Sequence, residues 1–576
     1  MRADYKDVFM SAKKIKLTYL LNLIALIVFL FLLAYSLTSK KAMTNLFSYT
    51  SYYLILLLIA VWAVETILFL KTLQFSFNLL VKRYWPGILI ALILTSLVFA
   101  SVKVQFKTLS DETNFLSISR SMLSDKTVFN SITGKHYYDN LNPISRIIPI
   151  QPLVFPFMVH LLHTLTGFRY QNPFILNFIV MVLFLSGVYI TTRKFSDIPS
   201  SIAAMLLILS YPVFTMSGTS GGFDLLNSAF FWLTMAAAYY FIRNPSPATF
   251  SFTFASLLVF TNIRYESAIF LFILPALFFK KIRWLYLKDR SYLFFIAPLV
   301  GLPYFWQCML SPYRSHEDPT GGPMFSFTSL VEHTTTIFRN LVDFKYFLPY
   351  AGFISIASIL VFIYLIIEIL SKRIELKTHQ KHFLFVLAAS ISISTIVYLS
   401  YYWGVYTHPS SARLFIILSI AFALGPVALR IFKPKFLSGP TLLIISVICF
   451  LYYHPIAVEG RFINTLTLNR TTEHCIDFIS KLNDKNILVI STRPGQYTAM
   501  GYGAIDFNYA NQNKGSILHE YSRHLFSKII VFQEIEYEGG KATGSAALDS
   551  DYRLNTLYEI QNTATTFLRI SEVGNH

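Results

Sequence analysis

The sequence predicts an all-α polytopic membrane domain of about thirteen spans, followed by a small α/β domain outside the membrane. Three observations predict it. More than half of the 576 residues, 54%, are hydrophobic, and the mean hydropathy is +0.53. The hydrophobic residues gather in runs of roughly 18 to 22, the length that carries a helix across about 30 Å of hydrocarbon. From Thr471 onward these runs stop, and short strand-like and helix-like stretches alternate instead.

The net charge of +18 would suit a nucleic-acid binder, but the Lys and Arg residues fall in short clusters between apolar runs and form no single stripe. Such clusters set topology, and nucleic acid gains no support. Placing them on the cytoplasmic side orients every span. Spans at 18–38 and 50–70 form a hairpin with Lys13, Lys14 and Lys16 before it and Lys71, Lys82 and Arg83 after it, so both ends lie inside. The run at 19–37 is too long for the hydrophobic region of a signal peptide and has no small-residue cleavage site, so it stays as an anchor.

The span at 86–106 then crosses outward and delivers Asp111 and Glu112 to the outer face, at the head of an outer loop, 107–172. Within that loop, 147–168 is apolar but carries Pro149, Pro152 and Pro156, which suits a segment lying along the interface. Counting it as a span would invert every later loop. Spans at 173–192, 199–217, 224–242, 248–262, 265–280, 291–308, 350–370, 383–403, 412–430 and 438–455 then alternate. They leave Arg193, Arg243, Lys280, Lys372 and Arg430, with their basic neighbours, inside.

The expected domains are the hairpin 1–85, a membrane domain 86–456 that includes the outer loop, and an outer α/β domain 457–576. In the last, 473–482 and 515–526 read as helices, 486–491, 528–532, 556–560 and 565–570 as strands, and Arg493-Pro494-Gly495 as a turn. No repeat marks an inverted-repeat transporter.

Two adjacent acids placed where a membrane helix reaches water are costly near lipid and point to a task. Other constellations are weaker. The three cysteines form no CxxC pair and no even framework, leaving one Cys308–Cys475 bridge open. His160 and His163 share a helical face without a matching carboxylate. His316, Glu317 and Asp318 lie in a Gly/Pro-rich outer loop, either as a cover over substrate or as a solvated tip. No GxGxxG, P-loop or HExxH is present.

The order of these features resembles the GT-C glycosyltransferases. An acidic pair follows an outward-crossing span. A proline-led interfacial helix, Gln151-Pro152-Leu153-Val154-Phe155-Pro156, then ends at the turn Thr166-Gly167-Phe168. The particular resemblance is to the protein O-mannosyltransferase and lipid A aminoarabinose transferase group, which uses polyprenyl-phosphate-linked sugars. Asp111-Glu112 is similar to that group's Asp-Glu signature, and Gln151-Pro152-Leu153 to its Pro-Pro-Leu element with Gln in place of the first proline. Gly222-Phe223-Asp224 resembles its second outer acidic position. Asn262-Ile263-Arg264-Tyr265-Glu266 stands where many members carry a Lys or Arg. Ser411-Ala412-Arg413 is similar to its late basic motif, with Leu414 in place of the usual aromatic. The resemblance covers about 86–455, and the N-terminal hairpin departs from it.

The resemblance implies transfer of a sugar from a polyprenyl phosphate to a glycan, lipid or protein acceptor. The membrane lipid would be a partner and the donor lipid a substrate, with no other cofactor and the need for a metal open. Asp111 would take the acceptor's proton, because a carboxylate in a partly desolvated cleft has a raised pKa. Glu112 would tune or orient that step, or be a solvated acid. Arg264 and Arg413 would hold the departing phosphate, the plainer role of Arg264 being an ion pair with Glu266. Asp224 would bind acceptor or metal, or cap a helix. Gln151 and His316 complete the expected substrate-binding set. The expected location is a bacterial inner membrane with the site on the extracytoplasmic face. The alternatives are a transporter or flippase of lipid-linked glycans, disfavoured because the acids cluster at one surface, and a non-catalytic relative.

Overall fold

The computed structural model describes residues 2–73, 77–137, 140–271, 292–310, 323–339, 351–405, 409–459, 466–537, 542–543, 546–561 and 565–574. The chain forms two compact units. One comprises Met1–Gln105, Pro152–Phe155 and Phe174–Phe462, and the other Phe106–Gln151, Pro156–Pro173 and Ile463–His576.

The chain opens with two long helices, α1 (Arg2–Ser36) and α2 (Lys40–Thr72). Ser39 starts the second, its hydroxyl accepting from the Ala42 N–H at 3.0 Å. Next come α3 (Phe77–Ser101), then α4 (Leu109–Ser124), the strands β1 (Asn130–Tyr137) and β2 (Asn140–Ile147), and α5 (Val154–Thr166). At 13 residues α5 is too short to span a bilayer. It ends where Gly167 adopts φ +78°, a conformation that side chains other than glycine rarely tolerate.

Helices α6 (Asn172–Arg193), α7 (Ile198–Leu209), α8 (Pro212–Gly218), α9 (Asp224–Arg243) and α10 (Pro247–Thr261) follow. Pro212 opens α8, and the axis turns by 80° between α7 and α8. A capping box between Ser246 and Thr249 starts α10. The membrane unit continues with α11 (Tyr292–Leu310), α12 (Phe327–Arg339), α13 (Gly352–Leu370), α14 (Thr378–Ser400), α15 (Ile416–Ala423), α16 (Gly425–Phe432) and α17 (Gly439–Val458).

Among the described residues ten helices are long and apolar enough to cross a membrane, or eleven if α7 and α8 make one bent span. This is a multi-pass membrane protein. The expected count of about thirteen is not reproduced, for two reasons. The span expected at 248–262 is the 15-residue α10, shorter than a straight crossing, and the span expected at 265–280 lies mostly outside the described residues.

The basic clusters gather at one end of this unit. Arg430 pairs with Asp197 at 2.9 Å, and Lys433 and Arg373 pair with Glu368. Tyr239, near the last turn of α9, packs against Phe195, His379 and Phe383, which brings the start of α14 beside the end of α9. The opposite ends of α9 and α14 carry Asp224 and Tyr398.

The second unit is built on a seven-stranded sheet in the order β2-β1-β4-β3-β5-β7-β6. After α18 (Leu466–Leu482) come β3 (Ile487–Ile490), α19 (Pro494–Met500), β4 (Gly503–Ile505), α20 (Phe507–Gln512), α21 (Lys514–Ser522), β5 (Lys528–Glu536), β6 (Leu554–Gln561) and β7 (Thr566–Val573). Strand β3 runs parallel to both neighbours, and the other pairings are antiparallel. Its four residues are fully buried, as a central parallel strand demands. Leu488 and Ile490 face Phe507, Ile517 and Tyr521, while Ile487 and Val489 face Cys475, Ile479 and Tyr497.

The sheet draws on two distant stretches of chain, because Gly134 of β1 pairs with Ala504 of β4. The residues expected as a bare outer loop thus supply two strands and α4. The expected turn at Arg493-Pro494-Gly495 opens α19, with Pro494 at its first position. Cys308, Cys449 and Cys475 are all free thiols.

Candidate functional site

In the membrane unit, three residues from three separate stretches meet at one carboxylate. Asp224 is the first residue of α9, where the helix dipole favours an anion. The segment before it, Ser217 to Phe223, is buried. Asn177 of α6 pins that segment, its amide donating to the carbonyls of Ser220 and Gly222 at 2.8 and 2.9 Å. Arg264, in the turn after α10, donates from Nη1 to Asp224 Oδ1. Arg413 brings its Nη1 to 3.7 Å from Asp224 Oδ2.

Arg264 is the more committed cation. Its Nε and Nη2 lie 3.2 and 3.4 Å from the Glu266 carboxylate, and its guanidinium stands 5.0 Å from the Phe223 ring and 6.0 Å from the Tyr398 ring. Both Asp224 and Arg264 are 4% exposed, whereas the Arg413 side chain is 18% exposed. Two arginines and two carboxylates balance in charge, so burial of the group is affordable. Of the two cations, Arg413 is the more exposed.

Beside this cluster lies a recess of about 280 Å³, including its open mouth. Pro152, Leu153, Ile55, Thr261, Asn262, Tyr265, Pro303, Tyr304 and Gln307 line it. The proline-led element and the turn that carries Arg264 therefore meet at one place. Tyr265 donates to Gln307 Oε1 at 3.2 Å.

In the other unit, Asp111 and Glu112 occupy the first turn of α4. They differ in environment. Asp111 is half-buried, while Glu112 is 2% exposed and accepts from the backbone N–H groups of Lys107 (3.1 Å) and Thr108 (2.9 Å). Glu112 is thus no solvated acid. It satisfies N–H groups at the start of the helix that carries Asp111, a positioning task. Lys107 is buried, and burial lowers its pKa to about 7 although Glu112 opposes the shift.

Gln151 is buried in this unit, just before the proline-led element. His163 binds Asn172 Nδ2 through Nδ1 at 2.7 Å and Ser119 Oγ through Nε2 at 3.2 Å. Burial lowers the pKa of both His160 and His163 to about 4, so the neutral rings serve packing and hydrogen bonding. His316, with Glu317 and Asp318, lies outside the described residues. Among the described residues no group of three His, Cys, Asp or Glu side chains is arranged to hold a metal ion.

Sequence reasoning singled out Asp224, Arg264 and Arg413 from separate motifs, and the structure brings them together. It missed Tyr398 and Lys107, and gave Phe223 no role of its own. Lys107 had a legible signal: a cation four residues before an acidic pair.

No family model and no curated protein matches the chain. Solved structures do. ArnT from Cupriavidus metallidurans bound to undecaprenyl phosphate is similar over 86% of this chain and 98% of its own, at 13% identity and a TM-score of 0.41. The oligosaccharyltransferase of Archaeoglobus fulgidus in its apo form is similar over 80% of this chain and 71% of its own, at 12% identity and a TM-score of 0.44. The same enzyme in complex with Zn and sulfate is similar at 11% identity and a TM-score of 0.46, over 77% and 67% of the two chains.

Proposed function

We propose that this protein is a membrane glycosyltransferase that moves a sugar from a polyprenyl-phosphate donor to a glycan, lipid or protein acceptor on the extracytoplasmic side of a bacterial inner membrane. The observation that carries the reading is the Asp224–Arg264–Arg413 cluster, at the end of the membrane unit opposite the basic loops. With basic loops inside, that end faces outward. In this reading Arg413, backed by Arg264, stabilises the negative charge that develops on the departing lipid phosphate. Asp224 holds the two arginines at a fixed separation. Asp111 takes the proton of the attacking acceptor group, and Glu112 and Lys107 set the turn from which it acts.

The test is a transfer assay with purified protein in proteoliposomes. Polyprenyl phosphates carrying different sugars are supplied with glycan, lipid and peptide acceptors. Sugar appearing on an acceptor with at least one donor supports the reading. Movement of the donor lipid across the bilayer with no transfer in any combination overturns it in favour of a transporter.

A further inference from the structure

We infer that Glu266 is an internal competitor for the lipid phosphate: its carboxylate holds the edge of Arg264 that a phosphate takes, and its return to that edge expels the spent carrier. The inference rests on the glycosyltransferase reading and adds how the product leaves.

A guanidinium grips an anion best through a pair of parallel N–H groups. Arg264 turns Nη1 to Asp224, and its Nε–Nη2 edge meets the Glu266 carboxylate side-on. Nε lies 3.2 Å from Oε2 and Nη2 3.4 Å from Oε1. Two phosphate oxygens fit the same edge in the same way. The carboxylate therefore occupies the place that a phosphate on Arg264 needs.

The two acids are held unequally. Asp224 is 4% exposed, whereas the Glu266 side chain is 27% exposed. The Glu266 contacts are also longer than the roughly 2.7–2.9 Å of a strong charged hydrogen bond. Glu266 is thus the partner that can swing outward.

Arg264 keeps its place when it does. Its guanidinium stands against the Phe223 and Tyr398 rings, and Asp224 retains Nη1. The turn is tied to α9 by the Ser267 hydroxyl, which donates to Asn227 Oδ1 at 3.0 Å. The backbone N–H groups of Ser267 and Ala268 donate to the carbonyls of Arg264 and Tyr265 at 3.2 and 3.0 Å. None of these bonds involves the Glu266 side chain.

Charge supplies the reason for a competitor. Transfer breaks the bond between the sugar carbon and the phosphate oxygen, and the electron pair stays on that oxygen. A singly charged phosphodiester donor becomes a monoester of about −1.5 to −2 at pH 7. The arginines therefore grip the product more tightly than the donor, which would stall turnover. A carboxylate two residues from Arg264 is tethered at high effective concentration and retakes the guanidinium whenever the phosphate loosens.

The experiment compares wild type with Glu266→Gln and Glu266→Asp, and with Glu332→Gln, an exposed acid of α12, as control. Gln removes the charge; Asp keeps it but ends one carbon short of the Arg264 edge. Binding of bare polyprenyl phosphate, its inhibition of transfer, and thermal unfolding are measured for each intact protein in detergent. Glu266→Gln should bind the bare lipid about tenfold tighter than wild type and be inhibited by correspondingly less of it. Glu266→Asp should fall between the two, and Glu332→Gln should match wild type. Equal or weaker binding by Glu266→Gln would overturn the inference and make Glu266 a support for Arg264. Wild-type affinity in Glu266→Asp would also overturn it, leaving only a general field effect. If Glu266→Gln unfolds at a markedly lower temperature, the sign of the change in Glu266→Asp decides. These results sink only the competitor role while wild type transfers sugar; a wild type that transfers none sinks the glycosyltransferase reading beneath it.

Discussion

Arg264 donates to the Asp224 carboxylate from 40 positions further along the chain, and both groups are almost wholly buried. The pair closes the turn after α10 onto the first residue of α9. Removing one partner of such a pair leaves an uncompensated charge and costs about 3–5 kcal/mol. Asp224→Ala is therefore expected to lower the thermal unfolding midpoint of the intact protein in detergent. The double variant Asp224→Ala/Arg264→Met should recover part of the loss. Additive losses in the double variant would mean that the two groups are not coupled.

Arg413 stands apart from that pair in its 3.7 Å separation and its greater exposure. Arg413→Ala should leave the unfolding midpoint nearly unchanged and reduce kcat about 100-fold, the size of effect seen when one donor to a developing anion is lost. Arg413→Lys should fall between, since a point charge replaces a planar fork. A wild-type rate in Arg413→Ala would remove this residue from the phosphate site.

Glu112 acts through the backbone of its own turn. Glu112→Ala strands the N–H groups of Lys107 and Thr108, at about 1–3 kcal/mol for each buried donor left unpaired. Glu112→Gln keeps one accepting oxygen and should be milder. Transfer should follow the same order, with kcat reduced more than KM is raised, because Asp111 shares the disturbed turn. Equal stability in the two variants would contradict the clamp.

The His163 ring is held neutral between Asn172 and Ser119. Its folded pKa of about 4 lies below the ordinary imidazole value of 6.5, so the unfolded chain binds more protons between these limits. The stability it contributes is present above pH 6.5 and is lost as the pH falls toward 4. Comparing thermal unfolding of wild type and His163→Gln across this window should show a shallower pH slope in the variant. Identical slopes would show that His163 does not carry the effect.

Much of this arrangement is legible in the sequence, for identifiable reasons. That the basic loops belong at one end is legible because Arg193, Arg243, Lys372 and Arg430 all fall between alternate spans, and Asp197–Arg430 and Glu368–Lys433 join such ends in the fold. Asp224, Arg264 and Arg413 are legible as separate motifs, since a charge at a span boundary needs a reason wherever it occurs. Their meeting is not, because it depends on how the start of α9, the turn after α10 and the segment leading into α15 pack together.

Strands β1 and β2 escape because the evidence for them is non-local. The partner of Gly134 is Ala504, in a strand of only three residues, and the local sequence offers little beyond the Asp139-Asn140 turn signal. The clamp made by Glu112 escapes for the opposite reason. It is local but depends on a helix start whose first residue no pattern fixes. The 80° turn between α7 and α8 is partly visible in Pro212, though a proline alone does not separate a kinked span from a broken one.

The most direct test of the account is the rate of sugar transfer by Asp111→Asn, a nearly isosteric change that removes the proton-accepting charge. A membrane-inserted protein with wild-type unfolding and unchanged binding of the polyprenyl-phosphate donor, but no detectable transfer, is the expected result. Transfer at the wild-type rate by that variant would contradict it.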